Sequence, residues 1–283
     1  MRMADALEAR KPRRKSRIRN GEPIPLWLRA TGLVVALYLV LPTLFVIPMS
    51  WSEATTFVFP PRGFTFRLYE NFFTDPRWIG SLGRSILVAT LASALATCVG
   101  TAAALGLGRL SGAVVGYLRA ILMVPIVTPA IVIATSVYMS FLMWGLVGTL
   151  TGYVLAHAAI ATPFVVVSVT SALGTFDRRL LRAAASLGAS PLRAFTTVTL
   201  PLISRGVTAG AVLAFVTSFD EVVIALFIRA PDFQTLPVQM YNSVTVEIDP
   251  TVAASSSLIV TTVSIVLLVG MVVGFARRRS EKP

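Results

Sequence analysis

The chain has 283 residues, of which 55% are hydrophobic and 13% are charged, and its formal net charge at pH 7 is +12. This apolar composition excludes a soluble enzyme or binding domain and indicates a membrane protein with several spans. The positive charge does not indicate nucleic-acid binding, because the basic residues lie beside apolar segments, where they flank a membrane and can contact anionic lipid.

The N-terminal segment is a basic tail. Residues 1–30 contain nine lysines and arginines, and such a cluster beside a span is expected to lie in the cytoplasm. The apolar run from Thr31 to Met49 is long enough to cross the membrane, so it predicts a first span and not a cleaved signal peptide. Residues 51–83 are rich in aromatics and prolines, and they predict an external loop with a short interfacial helix from Leu68 to Phe73.

Further apolar runs predict five more spans. Between Arg119 and Asp177 lie 57 residues without a formal charge, so two spans joined by a glycine- and threonine-rich turn are expected there. Pro125, Pro129 and Pro163 are expected to kink these two spans. The predicted spans after the first are Ser85–Gly108, Leu122–Leu142, Tyr153–Leu173, Val207–Ile228 and Val252–Phe275.

The segment 177–203 is the longest polar interruption in the second half of the chain. An alanine-rich helix is expected from Leu180 to Leu187, and the glycine after it offers a stop with little side-chain bulk. Small side chains leave a surface that the backbone of another protein can approach closely. They are Ala183, Ala184, Ala185, Gly188 and Ala189.

A second helix is expected directly after that stop. Ser190 can cap its N-terminus, and Pro191 fits its first position, where no backbone donor is needed. Pro201 is expected to close the unit before the next apolar run. The alternative interpretation is an ordinary cytoplasmic loop with alanine-rich helices and no partner.

This segment resembles the cytoplasmic coupling loop of permease subunits of bacterial ATP-binding-cassette (ABC) importers. The family's motif reads Glu-Ala-Ala, three residues, Gly, and later Leu-Pro. The chain matches it at Ala183-Ala184, Gly188 and Leu200-Pro201, whereas Arg182 replaces the acid. The resemblance implies that a separate ATPase subunit contacts this loop. The implied contact residues are Arg182, Ala183, Ala184, Leu187, Gly188, Ala189, Ser190, Pro191 and Pro201.

Within this family the chain is most similar to the second permease subunit of spermidine/putrescine transporters. The similarity lies in the acidic pair Asp220-Glu221, in Leu236–Val244 and in Glu247–Ile259. It implies the all-α, six-span, MetI-like fold of type I importers. It also implies a homologous second permease, two ATPase subunits that bind ATP and Mg²⁺, and a periplasmic substrate-binding protein.

The distribution of basic residues predicts the orientation independently. With the N-terminus inside, 20 of the 25 lysines and arginines fall on the cytoplasmic side. Both termini are therefore expected in the cytoplasm. The predicted organisation is the tail 1–30, a six-span domain 31–276 with its coupling loop at 177–203, and a cytoplasmic tail 277–283.

The acidic pair is the candidate site in the spans. Asp220 and Glu221 lie inside the predicted fifth span, where a charge costs at least a few kcal/mol and usually faces a partner or a watery cavity. The functional interpretation is attraction of a cationic substrate, with Phe219 adding a cation–π contact. Because helix neighbours point about 100° apart, at most one acid is expected to face the pathway. The alternative is a structural salt bridge, with Arg84 as a candidate partner.

The sequence contains no candidate catalytic, phosphate-binding or metal site. Its three lysines lie in the tails, away from any glycine-rich turn, so no phosphate-binding loop exists and ATP must be hydrolysed by another subunit. The single histidine and single cysteine give no metal or nucleophile constellation. His157 is expected to form a hydrogen bond between helices.

These patterns predict a non-enzymatic permease subunit in the bacterial inner membrane. The expected cargo is a small cationic solute such as putrescine or spermidine. Another amine, an amino-acid-like compound or an anion is the alternative cargo for the same machinery. The rival class is a stand-alone secondary transporter or channel, but the sequence has neither inverted repeats nor a chain of ionisable groups through the membrane.

Overall fold

The computed structural model of the chain describes residues 25–56, 59–61, 63–174, 177 and 179–280, and within this part the fold is all-α. The only extended pairing in it is an isolated bridge between Ala230 and Phe233. The helices are α1 (Leu26–Met49), α2 (Arg67–Thr74), α3 (Pro76–Leu107), α4 (Ala113–Val127), α5 (Ala130–Trp144), α6 (Leu150–Gly174), α7 (Arg179–Ser186), α8 (Pro191–Ala194), α9 (Leu200–Phe219), α10 (Val223–Phe227), α11 (Leu236–Thr245) and α12 (Thr251–Ser280).

The described helices supply the predicted number of crossings. Five are long and apolar enough to span a membrane, namely α1, α3, α6, the continuous helix Pro191–Phe219 and α12. The pair α4 and α5 adds a sixth if it is counted as one span. The chain divides into two units, residues 1–45 and 46–283. The contacts that build the candidate sites all lie within residues 46–283.

The second span is longer than predicted. Helix α3 begins at Pro76 and not near Ser85, so the loop predicted for residues 51–83 ends at Asp75. The Asp75 side chain accepts a hydrogen bond from the Arg77 backbone N–H at 2.8 Å, and Pro76 occupies the first turn, where a missing donor is harmless. These two local signals extend the helix beyond its apolar part. The short helix predicted within this loop is α2.

The third span is broken and not merely kinked. Helices α4 and α5 meet at an angle of 100° across Thr128 and Pro129. Pro129 cannot donate to the preceding turn, and it restricts Thr128 to an extended conformation, with ψ at 133°. Pro125, by contrast, lies inside α4, and Pro163 lies inside α6.

The centre of residues 46–283 is formed by α3, α6 and α9, which pack through small side chains. A Cβ atom added to Gly206 would lie 2.5 Å from Ala172 Cβ and 2.9 Å from the Ser168 carbonyl oxygen. One added to Gly210 would lie 3.0 Å from Val165 Cα. Lipid tails are as apolar as side chains, so the helices associate through close packing, which small residues permit.

This packing predicts opposite effects for two Gly→Ala substitutions. We expect Gly206→Ala to destabilise the protein by about 1–3 kcal/mol, because α6 must move to admit the methyl group. Gly270→Ala is the matched control, since a Cβ there meets no described atom within 4 Å, and it should be neutral or stabilising by up to about 1 kcal/mol. Thermal unfolding of both variants in detergent measures the difference. Equal unfolding temperatures would contradict the prediction.

Candidate functional site

The predicted fifth span, Val207–Ile228, is not one helix, because it breaks at the acidic pair. Helix α9 ends at Phe219, and Asp220 closes it by donating its backbone N–H to the Val216 carbonyl at 3.0 Å. The chain turns helical again only at Val223. Residues 220–222, called the gap below, lie between the two helices. The expected 100° separation of the two acids therefore does not apply.

Glu221 caps the short helix α10. Its Oε1 accepts a hydrogen bond from the Ile224 backbone N–H at 2.8 Å, and the side chain is half-buried. The first N–H groups of a helix have no partner within the helix, and a carboxylate suits the positive end of the helix dipole. Glu221 is therefore held by the fold itself.

Asp220 is exposed at the rim of an apolar cavity. The cavity has a volume of about 560 Å³ and lies among α2, α3, α9, α11 and α12, and Asp220 is the single charged residue among its described lining. Phe215 and Phe219 stack at 5.9 Å with 16° between their planes. Ser255 also lines it, and its buried Oγ has no hydrogen-bond partner among the described residues. A carboxylate and aromatic faces therefore meet in one cavity, and the buried Ser255 hydroxyl lies behind its wall.

The predicted residues Asp220 and Phe219 thus lie together, whereas Glu221 turns to the backbone of α10. Sequence reasoning missed Phe215 and Ser255. The spacing of four residues between Phe215 and Phe219 puts both on one helix face and was a usable signal. Ser255 carried no comparable signal, because its position depends on how α12 packs.

The alternative role of the acidic pair was an ion pair with Arg84. Arg84 instead places its guanidinium carbon 5.7 Å from the centroid of the Phe233 ring, which is a cation–π contact. Within the part of the chain that the structure describes, Arg77 forms both ion pairs, one with Asp75 and one with Glu247. Asp220 therefore has no basic partner among the described residues.

A polar cluster at the start of α3 fixes one wall of the cavity. Arg77 bonds Glu247 at 2.9 Å, and the Trp78 ring N–H donates to Asp249 at 3.1 Å, which ties α3 to the turn before α12. The hydrogen-bonded Arg77 guanidinium also holds the pKa of the Asp75 carboxyl below its ordinary value. The charged form of Asp75 is therefore favoured, and the contacts of Arg77 and Trp78 join the start of α3 to the segment before α12.

The segment predicted as a coupling loop has the expected helices. Helix α7 ends before Gly188, whose φ of +80° is a left-handed conformation that glycine adopts without strain. The Ser190 side chain then accepts a hydrogen bond from the Arg193 backbone N–H at 3.4 Å, and Pro191 begins α8. The predicted stop and cap therefore lie where the sequence placed them.

Pro201, however, does not close this unit. The helix runs without a break from Pro191 to Phe219 and includes a π-helical turn at Phe195–Thr199. The Leu200 backbone N–H donates to the Phe195 carbonyl, five residues back. Pro201 has no donor of its own, and its ring would crowd the preceding turn of an α-helix. The wider π-turn provides the room, so the proline is accommodated inside the helix.

The coupling segment presents an uncovered surface. All nine predicted contact residues are exposed or half-buried within this chain. Leu187 and Leu192 expose 88% and 73% of their surfaces, which is unusual for apolar side chains outside the membrane. A Cβ built on Gly188 meets no described atom within 4 Å. The arrangement is that of a surface on which another protein can bind.

Comparison with known proteins adds a family to this geometry. The family model for binding-protein-dependent transport system inner membrane components matches residues 96–282. The spermidine/putrescine transport system permease protein PotC of Escherichia coli is 31% identical over 230 residues, which cover 81% of this chain and 87% of the relative. The molybdenum transport system permease protein ModB of Mycobacterium bovis is 32% identical over 212 residues, which cover 70% of this chain and 80% of the relative.

A solved structure shows the same fold. It is a crystal structure of a bacterial ABC transporter involved in the import of the acidic polysaccharide alginate. One of its chains matches with a TM-score of 0.67 at 18% identity, covering 90% of this chain and 99% of that one. A likeness at this identity concerns the fold alone. It confirms the all-α architecture that the sequence predicted.

The cap on α10 predicts that Glu221 and Asp220 differ in their effect on stability. We expect Glu221→Ala to destabilise the protein by about 0.5–2 kcal/mol, because the Ile224 N–H loses its acceptor. Glu221→Gln keeps an oxygen acceptor and should remain close to wild type. Asp220→Asn is the control at the neighbouring position, where the fold depends on no described side-chain bond. Thermal unfolding in detergent compares the three variants, and an Asp220 effect as large as that of Glu221→Ala would contradict this assignment.

Proposed function

The chain belongs to the family of inner membrane components of binding-protein-dependent transport systems, and on this premise we propose that it forms half of the translocation pathway for a small cationic solute. It is an ABC-importer permease subunit and a multi-pass protein of the inner membrane. The other half of the pathway would come from a homologous second permease. A periplasmic substrate-binding protein would deliver the cargo.

The position of Asp220 carries this proposal. It is an exposed carboxylate, without a basic partner among the described residues, at a break in a span and beside an aromatic cavity. A charge at such a place is stable only beside water or an opposite charge, so the site attracts cations. The stacked rings of Phe215 and Phe219 add favourable contacts for an ammonium group or the carbon chain beside it. The half-buried Glu221 adds negative charge from its capping position.

The relatives support a choice of cargo. The name of PotC supports putrescine or spermidine, whose ammonium groups suit an acidic site. ModB, a relative of similar identity, is named for molybdenum transport, so sequence similarity alone does not decide the cargo. The alternative cargo for the same machinery is another amine, an amino-acid-like compound or an anion. The cationic choice rests on the charge at the gap, because an anion would be repelled there.

The coupling segment would transmit the ATPase cycle. ATP and Mg²⁺ would bind to two partner ATPase subunits, and closure of these subunits would move the region from Arg182 to Pro191 and rotate the spans to open outward. Arg182 is exposed and replaces the acid of the family's motif. The facing ATPase surface would therefore have to supply a carboxylate or carbonyl acceptor. Weak binding at Asp220 would let the cargo pass.

Uptake by the reconstituted complex tests the proposal directly. We expect ATP-driven uptake of labelled putrescine or spermidine by proteoliposomes that contain this chain with its partner subunits, and competition by the unlabelled amine. The chain alone should not transport, whereas a stand-alone secondary transporter or channel would. ATP hydrolysis without polyamine uptake would overturn the polyamine proposal and direct the search to the other cargoes.

The acidic site predicts a specific loss on neutralisation. We expect Asp220→Asn to lower cation uptake about twofold to fivefold, because an ion pair at an exposed carboxylate contributes about 0.5–1 kcal/mol. Combination with Glu221→Gln should abolish uptake without loss of assembly. Uptake is measured against the amount of purified complex. Unchanged uptake by the double variant would show that the pair is structural.

Gly188 allows the steric and conformational roles of the coupling segment to be separated. Asparagine tolerates a left-handed conformation and adds bulk, whereas leucine adds bulk and strain. We expect Gly188→Asn and Gly188→Leu both to remain in the membrane and to reduce substrate-stimulated ATP hydrolysis roughly tenfold, as for loss of a central interface contact.

A matched control exists for this pair. Gly112 has a φ of +79°, and a Cβ there meets no described atom within 4 Å, but it lies outside the coupling segment. Gly112→Asn should therefore leave stimulated hydrolysis unchanged. Normal hydrolysis in Gly188→Asn together with a loss in Gly188→Leu would show that conformation and not close approach matters. Normal hydrolysis in both would refute the contact.

A further inference from the structure

Helix α6 presents two polar side chains to the broken fifth span. Tyr153 and His157 are four residues apart, so they lie one helical turn apart on the same face. Both are fully buried, with 0% of their surfaces exposed. Their ring centroids are 5.8 Å apart. Polar groups buried this completely in a membrane protein require hydrogen-bond partners, and the Tyr153 hydroxyl and the His157 Nδ1 find them on the two sides of the gap. The His157 Nε2 has no partner among the described residues.

His157 bonds the helix that ends at the gap. Its Nδ1 lies 3.1 Å from the Ser218 carbonyl oxygen and 2.9 Å from the Ser218 Oγ. A carbonyl oxygen can only accept, so the contact with it requires the proton on Nδ1. Ser218 lies in the last turn of α9, where carbonyl groups have no donor farther along the helix. His157 supplies that donor from a neighbouring helix.

Tyr153 bonds the chain on the other side of the gap. Its hydroxyl lies 3.3 Å from the Ala225 carbonyl oxygen in α10 and 3.2 Å from the Phe233 carbonyl oxygen in the following loop. Helix α10 has five residues, and no described backbone N–H from outside the helix donates to the Ala225 carbonyl, whereas the Ile224 carbonyl accepts from Ile228. Tyr153 therefore supplies a hydrogen-bond donor to a carbonyl of α10, as His157 does for α9.

The gap itself contributes little to its own shape. Of its three residues, Glu221 makes one described side-chain bond, to the Ile224 N–H, and Asp220 makes none within the part of the chain that the structure describes. The direction in which these acids point is therefore set by the two helix ends that flank them. Both ends are held by α6.

We propose that Tyr153 and His157 are positioning residues that act as a two-point clamp, through which α6 holds the gap and orients Asp220 toward the cargo while Glu221 stays at the cap of α10. The proposal rests on the proposed function for its consequence in transport, but the clamp itself is a property of this chain. A site held by packed neighbours keeps its geometry when the helices move, which binding of a passing cation requires.

His157 can be replaced by a pair of amides that differ in where they place a donor. The Asn amide nitrogen lies near the position of Nδ1, whereas the longer Gln side chain places its nitrogen near the position of Nε2. We expect His157→Gln and His157→Ala to raise the half-saturating cation concentration for uptake about tenfold, the loss expected for one buried hydrogen bond. His157→Asn should stay within about threefold of wild type. Tyr153→Phe should resemble His157→Ala.

A second readout does not depend on cargo. In a Cys98→Ala background, Val222→Cys places a thiol in the gap, and its labelling by a maleimide in native membranes reports how often the gap opens. We expect labelling about tenfold faster with His157→Gln than with His157→Asn. Thr162→Val is the matched control, because Thr162 is buried in α6 and its described side-chain hydrogen bond goes to its own helix, at the Ala158 carbonyl.

The outcomes separate the clamp from the cargo. Faster labelling with His157→Gln, His157→Ala and Tyr153→Phe, and not with His157→Asn or Thr162→Val, supports the clamp. This conclusion holds even if no amine is transported, because absence of amine transport would overturn only the proposed cargo. Equal labelling in all variants overturns the clamp. Faster labelling with Thr162→Val overturns it as well, since any polar loss in α6 would then loosen the gap. If His157→Ala does not accumulate in the membrane, the comparison of His157→Asn with His157→Gln still tests the clamp.

Discussion

The membrane supplies no water to backbone groups that a helix end leaves free, and the fifth span ends and restarts within the fold. At the gap, residues 220–222, side chains bond backbone groups that the two helix ends leave free. Glu221 accepts from the backbone of α10, while His157 and Tyr153 donate to carbonyls on the two sides of the gap. The site that carries the charge is therefore also the site that needs the most support from its neighbours.

That support depends on how closely the central helices pack. At Gly206 and Gly210 the backbone of α9 lies so close to α6 that an added methyl group would crowd the atoms of α6. At this separation the side chains of α6 can reach carbonyls of α9 directly, which a wider interface would leave to longer and less rigid side chains. The small residues thus do more than associate two helices, since they bring the donors of one within reach of the acceptors of the other.

One helix joins the predicted coupling segment to the gap. The helix from Pro191 to Phe219 has 29 residues, about 43 Å at about 1.5 Å per residue, and it begins at the cap of the coupling segment and ends at the gap. Its π-turn accommodates Pro201 without a break. Under the proposed function, a displacement at Ser190 would be carried along this helix to Phe219. Such a link is the physical element that coupling between an ATPase surface and a cargo site requires.

The sequence by itself determined what depends on local chemistry. Apolar length placed the spans, Ser190 and Pro191 placed a helix start, and Gly188 placed a stop, because each signal acts within a few residues of itself. Only the tertiary structure decided that the third span folds back by 100°, that Pro201 lies inside a helix and that the fifth span breaks at Asp220. A break in a membrane helix is stable only when groups far away in sequence satisfy it, here Tyr153 and His157, more than sixty residues before the carbonyls they bond. No local sequence pattern predicts hydrogen bonds between residues so far apart. The sequence therefore identified the charged residues, but it did not predict the break in the helix at which they lie.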